Sequence, residues 1–272
     1  MAAPETVLEA SGLTKRFGGG FFARRDPLTA VDAVSLNVRR GETLGIVGES
    51  GSGKSTLARM LVGLIRPTSG AIALDGRDVD PASAAGRAAL RRRAQFVFQD
   101  SASAFNPRRT IGASLSAPLI GLTRMTARER EPRVAELLEQ VGLRAEHAGR
   151  YPHAFSGGQL QRAGVARALA AEPEIVVLDE PVSALDVSVQ AQILALLRRL
   201  KDERGLTMVF VSHDLAVAEA LCDRVAVMRR GRIVEEGAAR EVIGRPRDDY
   251  VRALVAAARD PAGRLAADTP VG

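Results

Sequence analysis

Two groups of side chains in this 272-residue sequence have the types and spacing for phosphate chemistry. Gly48-Glu49-Ser50-Gly51-Ser52-Gly53-Lys54-Ser55, followed by Thr56, has the pattern of a loop that wraps phosphates. Its glycines let the backbone turn tightly and bring N–H groups against phosphate oxygens, Lys54 reaches the β- and γ-phosphates, and the Ser55 hydroxyl is a Mg²⁺ ligand. Asp179 and Glu180 close an apolar run, where the first carboxylate enters the Mg²⁺ shell and the second orients or deprotonates an attacking water. His213 follows another apolar run, a position where a lone histidine is more often structural than reactive.

Elements must hold these groups. Thr43-Leu44-Gly45-Ile46-Val47 predicts a buried strand entering the loop. Leu57, Leu61 and Leu64 predict a helix from Ser55 to Leu64, whose N-terminus adds partial positive charge to the phosphate site. Ile175 to Leu178 reads as a fully buried parallel strand and Thr207 to Val211 as another. Helices are expected from about Val187 to Arg204 and from about Leu215 to Leu221, then a hairpin of Arg224 to Met228 and Gly231 to Glu235. Up to about Val38 the sequence reads as short strands; Val34, Leu36 and Val38 alternate with Ser35 and Asn37, as in an antiparallel sheet with one wet face.

Between Gln99 and Ser156 a helical subdomain is expected. Val134, Leu137, Leu138 and Val141 repeat at helical spacing and stop at Gly142. Thr126 with Glu129 predicts a capping box that places Pro132 inside the helix, to be resolved by a kink or a later start. Ser156 is placed to cap a helix from about Gly157 to Ala170, with two glycines that admit a phosphate near its free N–H groups.

Phe155-Ser156-Gly157-Gly158-Gln159, in its order after the phosphate loop and before Asp179-Glu180, resembles the signature sequence of ATP-binding cassette (ABC) ATPases. The resemblance implies an α/β fold: a P-loop NTPase (RecA-like) core with an N-terminal antiparallel β subdomain and an inserted α-helical signature subdomain. The cassette would span 1–245, with the insertion at about 100–168, and 246–272 would form a short tail. It implies ATP and Mg²⁺, with Lys54, Gln99, Glu180 and His213 catalytic and Ser55, Gln99 and Asp179 at the metal. Gly48, Glu49, Ser50, Gly51, Ser52, Gly53, Lys54, Ser55 and Thr56 would cradle the phosphates. Phe17 falls where the family places an aromatic that stacks on adenine; a core position for Phe17, or that role for Phe21 or Phe22 in the Gly18–Pro27 loop, stands as the alternative. Ser156, Gly157, Gly158 and Gln159, with Asp186 of the Ser183-Ala184-Leu185-Asp186 D-loop, would meet ATP held by a second cassette.

Longer stretches, Tyr151 to Arg162, Glu180 to Gln190 and Val211 to Leu215, are similar to ATPase subunits of oligopeptide and dipeptide importers, more so to the second of the two ATPases that pair there. The similarity runs from about Val7 to about Ala257, and Phe105-Asn106-Pro107-Arg108 fits it. It implies a partner cassette, either a homologue or a second copy, two transmembrane permease subunits, an extracytoplasmic solute-binding protein engaged indirectly, and a peripheral location on the cytoplasmic face of the inner membrane. Nickel and other small-solute importers share these motifs, and soluble ABC proteins acting on nucleic acid or ribosomes are the competing class. Asp100-Ser101-Ala102-Ser103-Ala104, where the permease would dock, is plainer than the family's segment, and Asp248-Asp249 stands where relatives have His-Pro.

Composition agrees. Apolar residues make up 46% of the chain, enough for a sizeable core, and no apolar run is long enough to span a membrane. Met1 to Ser11, with Glu5 and Glu9, has no apolar core and is not expected to be a secretory signal. Cys222, the only cysteine, excludes an internal disulfide and a four-thiolate iron–sulfur site, and suits a reducing compartment. A net charge of +6 raises the question of nucleic acid, but 4% aromatic content offers no stacking platform, so no nucleic-acid partner is expected. The final residues from Asp260 are expected to be disordered.

Overall fold

Alternating burial along two long strands builds the first layer. The computed structural model describes residues 5–18 and 28–259; Phe21, Phe22 and the stretch from Asp260 lie outside them. Strand β1 (Thr6–Phe17) pairs antiparallel with β2 (Leu28–Arg39), which buries Val31, Val34, Leu36 and Val38 and leaves Ser35 exposed. Both run for 12 residues, longer than the short strands expected. Register shifts explain the difference: one falls between Ala10 and Leu13, around Gly12 at φ 59°, and interrupts the apolar rhythm without ending the strand.

β3 (Thr43–Val47) enters the phosphate loop, and α1 (Lys54–Leu61) leaves it. The helix ends before Leu64 because Gly63, at φ 69°, takes the left-handed conformation that stops a helix; Leu64 is left outside, 44% exposed. β4 (Ser69–Leu74) and β5 (Arg77–Val79) complete an antiparallel sheet of order β2-β1-β4-β5. α2 (Ala84–Arg93) then leads into β6 (Ala94–Val97).

Three helices follow: α3 (Ile111–Leu122), α4 (Ala127–Gln140) and, after two short 3-10 turns, α5 (Gly157–Leu169). α4 starts where the Thr126/Glu129 pair indicates, the Glu129 carboxylate accepting the Thr126 N–H at 2.7 Å, and Pro132 is carried inside it. Val134, Leu137, Leu138 and Val141 are all buried.

The chain then alternates through β7 (Ile175–Asp179), α6 (Val187–Arg204), β8 (Thr207–Ser212), α7 (Leu215–Leu221), β9 (Arg224–Arg229) and β10 (Arg232–Ala238), and ends in α8 (Ala239–Gly244) and α9 (Asp249–Arg259). The second sheet has the order β10-β9-β3-β8-β7-β6, parallel throughout except for the β9–β10 hairpin. Both of its faces are covered. Leu44, Ile46, Ile175, Val177, Val209 and Val211 join the core beneath the antiparallel sheet and α1. Val176, Leu178, Met208, Phe210, Val225 and Val227 join the opposite core with residues of α3 to α9. Each fully buried Val, Leu or Ile contributes about 1.5–3 kcal/mol, and this two-sided burial fixes the strand ends on which the site is built.

Candidate active site

The phosphate loop is shaped by close backbone approaches. A Cβ on Gly48 (φ 149°) would lie 2.2 Å from the carbonyl oxygen of Met228, and one on Gly53 (φ 105°) 2.2 Å from that of Ala30. These two glycines let β9 and β2 press on the loop, whereas Gly51 faces open space. Lys54 is 4% exposed, and its ammonium donates to the carbonyls of Gly48 (2.9 Å) and Glu49 (2.7 Å). Burial pulls its pKa below the ordinary lysine value, against the opposing pull of Glu180, Asp179 and Glu49. A cation held there at a desolvation cost is suited to a polyanion.

The Ser55 hydroxyl donates to Asp179 Oδ1 at 2.7 Å. Asp179 ends β7 with no exposed side-chain surface, and Arg59, one turn beyond Ser55 on α1, reaches its Oδ2 at 3.3 Å. Burial raises the Asp179 carboxyl above the usual range, opposed by the Ser55 hydrogen bond and the Arg59 charge. This hydroxyl–carboxylate pair is a hard-oxygen donor set of the kind Mg²⁺ takes.

Glu180 sits at φ 46°, a strained conformation for a non-glycine residue, held by its N–H to the Val211 carbonyl at 3.1 Å. Its Oε2 accepts from Gln99 Nε2 at 3.1 Å and lies 3.1 Å from His213 Nδ1. Gln99, just beyond β6, and His213, just beyond β8, therefore converge on one carboxylate; Gln99 also reaches Ser183 Oγ at 3.4 Å. A cleft of about 350 Å³ is lined by Phe17, Leu28, Ala30, Ser50, Gly51, Gly53, Lys54, Ser55, Thr56, Gln99 and Glu180. Phe17 is 41% exposed there rather than in the core, with the Lys15 ammonium 5.1 Å from its ring centroid. His213 joins from the side through Glu180, and Asp179 lies behind Ser55.

Ser156, Gly157, Gly158, Gln159 and Asp186 do not line this cleft. Ser156 and Gln159 form a reciprocal cap on α5, the Ser156 N–H donating to Gln159 Oε1 at 3.0 Å and the Gln159 N–H to Ser156 Oγ at 3.3 Å. Asp186 caps α6 by accepting the Val189 N–H at 2.9 Å, and that bond lowers its pKa. A Cβ on Gly158 would meet Val189 Cγ1 at 2.4 Å, so any larger residue there must move Val189 or part α5 from α6. Sequence reasoning passed over Arg59, whose i+4 spacing from Ser55 was available, and Tyr250, whose hydroxyl accepts the Glu49 N–H at 3.3 Å from α9.

A parallel sheet with a phosphate loop at the end of β3 and an Asp-Glu pair at the end of β7, with β8 between them, defines a P-loop nucleoside triphosphatase. The family described as ABC transporter matches residues 31–183, and the chain belongs to the ATP-hydrolysing cassettes of that family. A Brucella abortus relative named as a peptide import ATP-binding protein is 52% identical over 254 residues, 92% of this chain and 76% of its own. The dipeptide transport ATP-binding protein of Haemophilus influenzae is 46% identical over 253 residues, 92% and 77% of the two chains. Among solved structures, a dimeric ATP-binding cassette in a post-hydrolysis state, bound to ADP and Pi, superposes with a TM-score of 0.76 at 33% identity over 86% of this chain and 99% of its own. The cbiO1 protein of Clostridium perfringens, part of an ABC transporter complex, gives 0.75 at 28% identity over 97% and 99%.

Proposed function

We propose that this protein is the ATP-binding and hydrolysing subunit of a peptide importer, acting with separate permease subunits at the cytoplasmic face of the inner membrane. The observation that carries the reading is the meeting of Gln99 and His213 on Glu180 beside Lys54 and Ser55, in a chain whose relatives are named for peptide and dipeptide import. No described helix is long and apolar enough to cross a membrane, which fits a pore built from other chains.

In this reading the N–H groups from Gly51 to Thr56 and the Lys54 ammonium bind the ATP phosphates, with Phe17 against the base. Ser55 and Asp179 would hold Mg²⁺, joined by Gln99. Bound there, the ion would supply charge neutralisation to the phosphates. Glu180 orients the attacking water and takes its proton, and Gln99 and His213 fix the carboxylate that does so. Phosphoryl transfer rests on such positioning more than on covalent chemistry. Ser156 to Gln159 and Asp186, away from this chain's own cleft, serve the nucleotide of a second cassette, a homologue or another copy. Two cassettes close on two ATP molecules, and hydrolysis reopens the pair.

The test is affinity capture of the chain from native membranes in mild detergent, followed by mass spectrometry. Two multi-span proteins and a second cassette are expected. Ribosomes or nucleic acid without a membrane protein would leave the ATPase standing and remove the transport reading.

A further inference from the structure

The segment from Arg247 to Leu254 lies beyond residues 31–183, which carry the family match, and the proposed chemistry does not use it. It is nevertheless held firmly. Glu235 on β10 accepts the N–H groups of Arg247 (3.1 Å) and Asp248 (3.0 Å), Asp248 Oδ1 accepts the Tyr250 N–H at 2.8 Å, and Val251 and Leu254 are buried in the core. The helix so fixed presents Tyr250, 8% exposed, with the Arg229 guanidinium 4.6 Å from its ring centroid.

The Tyr250 hydroxyl accepts the Glu49 N–H at 3.3 Å, while the carbonyl of that same peptide, Gly48's, accepts the Lys54 ammonium at 2.9 Å and the following carbonyl, Glu49's, accepts it at 2.7 Å. The first turn of the phosphate loop is thus tied to α9 on its N–H side and to Lys54 on its carbonyl side. We infer that Tyr250 is a positioning residue for nucleotide binding: its hydroxyl holds the Gly48–Glu49 peptide in the one orientation from which Lys54 and the later N–H groups meet the phosphates. The inference rests on the reading of the cleft as the ATP site. Without the hydroxyl the loop samples more conformations, and nucleotide must reorder it on binding. The reacting groups Gln99, Glu180 and His213 stand on other elements, so turnover of the bound complex changes little, the pattern expected when uniform binding is lost.

Tyr250→Phe removes one oxygen and keeps the ring. With the full chain, ATP affinity by calorimetry and the split of KM against kcat are measured beside backbone hydrogen exchange. Tyr250→Phe is expected to raise Kd and KM about two- to tenfold, the scale of one hydrogen bond, with kcat nearly unchanged and faster exchange at Glu49. Leu254→Ala, which thins the α9 packing and keeps the hydroxyl, is expected to lower Tm and leave KM alone. Unchanged affinity in Tyr250→Phe, or a KM that merely tracks Tm across both variants, overturns the inference. So does wild-type exchange at Glu49 as fast as at Gly51, a measurement that needs no variant. Absence of ATP binding by the wild type would instead defeat the underlying reading of the cleft.

Discussion

The Ser55 hydroxyl donates a 2.7 Å hydrogen bond to Asp179 Oδ1, joining the first turn of α1 to the end of β7. The carboxylate that receives it is fully buried, with Arg59 at 3.3 Å as its only ion-pair partner among the described residues. Burial raises the Asp179 pKa, so the folded carboxyl keeps its proton to higher pH than the unfolded one. Between the two values the unfolded chain binds fewer protons, and stability falls as pH rises; above both, the full cost persists. Asp179→Asn does not ionise. At neutral pH, without nucleotide, it is expected to melt at or above the wild-type Tm, with the difference shrinking as pH falls into the ordinary carboxylate range. Its ATP turnover should be lost. A variant Tm well below wild type at neutral pH would show that the Arg59 pairing outweighs the burial cost.

Glu180 receives both Gln99 and His213 on one oxygen. Glu180→Gln keeps the shape and the phosphate cradle while removing the proton acceptor. ATP binding should be retained and hydrolysis should fall about 10²–10⁴-fold, the usual worth of a general base. Filter binding and phosphate release on the same preparation check both; near-normal release would remove Glu180 from this role.

Lys54 is held below the ordinary lysine pKa by burial and has two carbonyls as its only hydrogen-bond partners among the described residues. Lys54→Ala is expected to abolish nucleotide binding measured by calorimetry while leaving the fold intact by circular dichroism. Unchanged affinity would mean that the loop does not cradle phosphate.

How much was legible follows from local pattern. The parallel strands read directly because burial on both faces gives continuous apolar runs, as in Ile175 to Leu178, and α6 and α7 matched their expected limits because Asp186 and Asp214 cap them. β1 did not read as one strand, because register shifts around Gly12 break its alternation. Leu64 extended a helical rhythm past Gly63, which ends it. Tyr250 was beyond any local pattern: its partner Glu49 is 201 residues away in sequence. Gly158 was read as a close approach to phosphate, and its contact with Val189 depends on a helix crossing that spacing does not encode.

Cys222 packs against Gly45, where an added Cβ would lie 2.9 Å from its sulfur, and burial pushes the thiol up to about 12. At mildly alkaline pH almost no thiolate exists in the folded state, so the thiol is expected to react with Ellman's reagent only through opening of the structure. Its labelling rate should rise with urea in step with unfolding. Prompt stoichiometric labelling of the native protein would contradict the buried placement.

The contact between Gly158 and Val189 makes the most discriminating prediction. A methyl group on Gly158 would stand 2.4 Å from Val189 Cγ1, so Gly158→Ala must displace α5 from α6 or force Val189 to move. The expected cost is about 1–3 kcal/mol, typical of overpacking. Because Gly158 does not line the phosphate-loop cleft, ATP binding by the isolated chain should survive, while turnover that depends on the Ser156–Gln159 cap should fall. Val189→Ala, which clears the obstructing methyl groups, should restore stability to the Gly158→Ala chain, giving a coupling within about 0.5–3 kcal/mol in a double-mutant cycle. If stability returns and turnover does not, the Gly158 position also needs open space on its outer side, as a phosphate from a second cassette requires; if both return, helix packing alone explains the glycine.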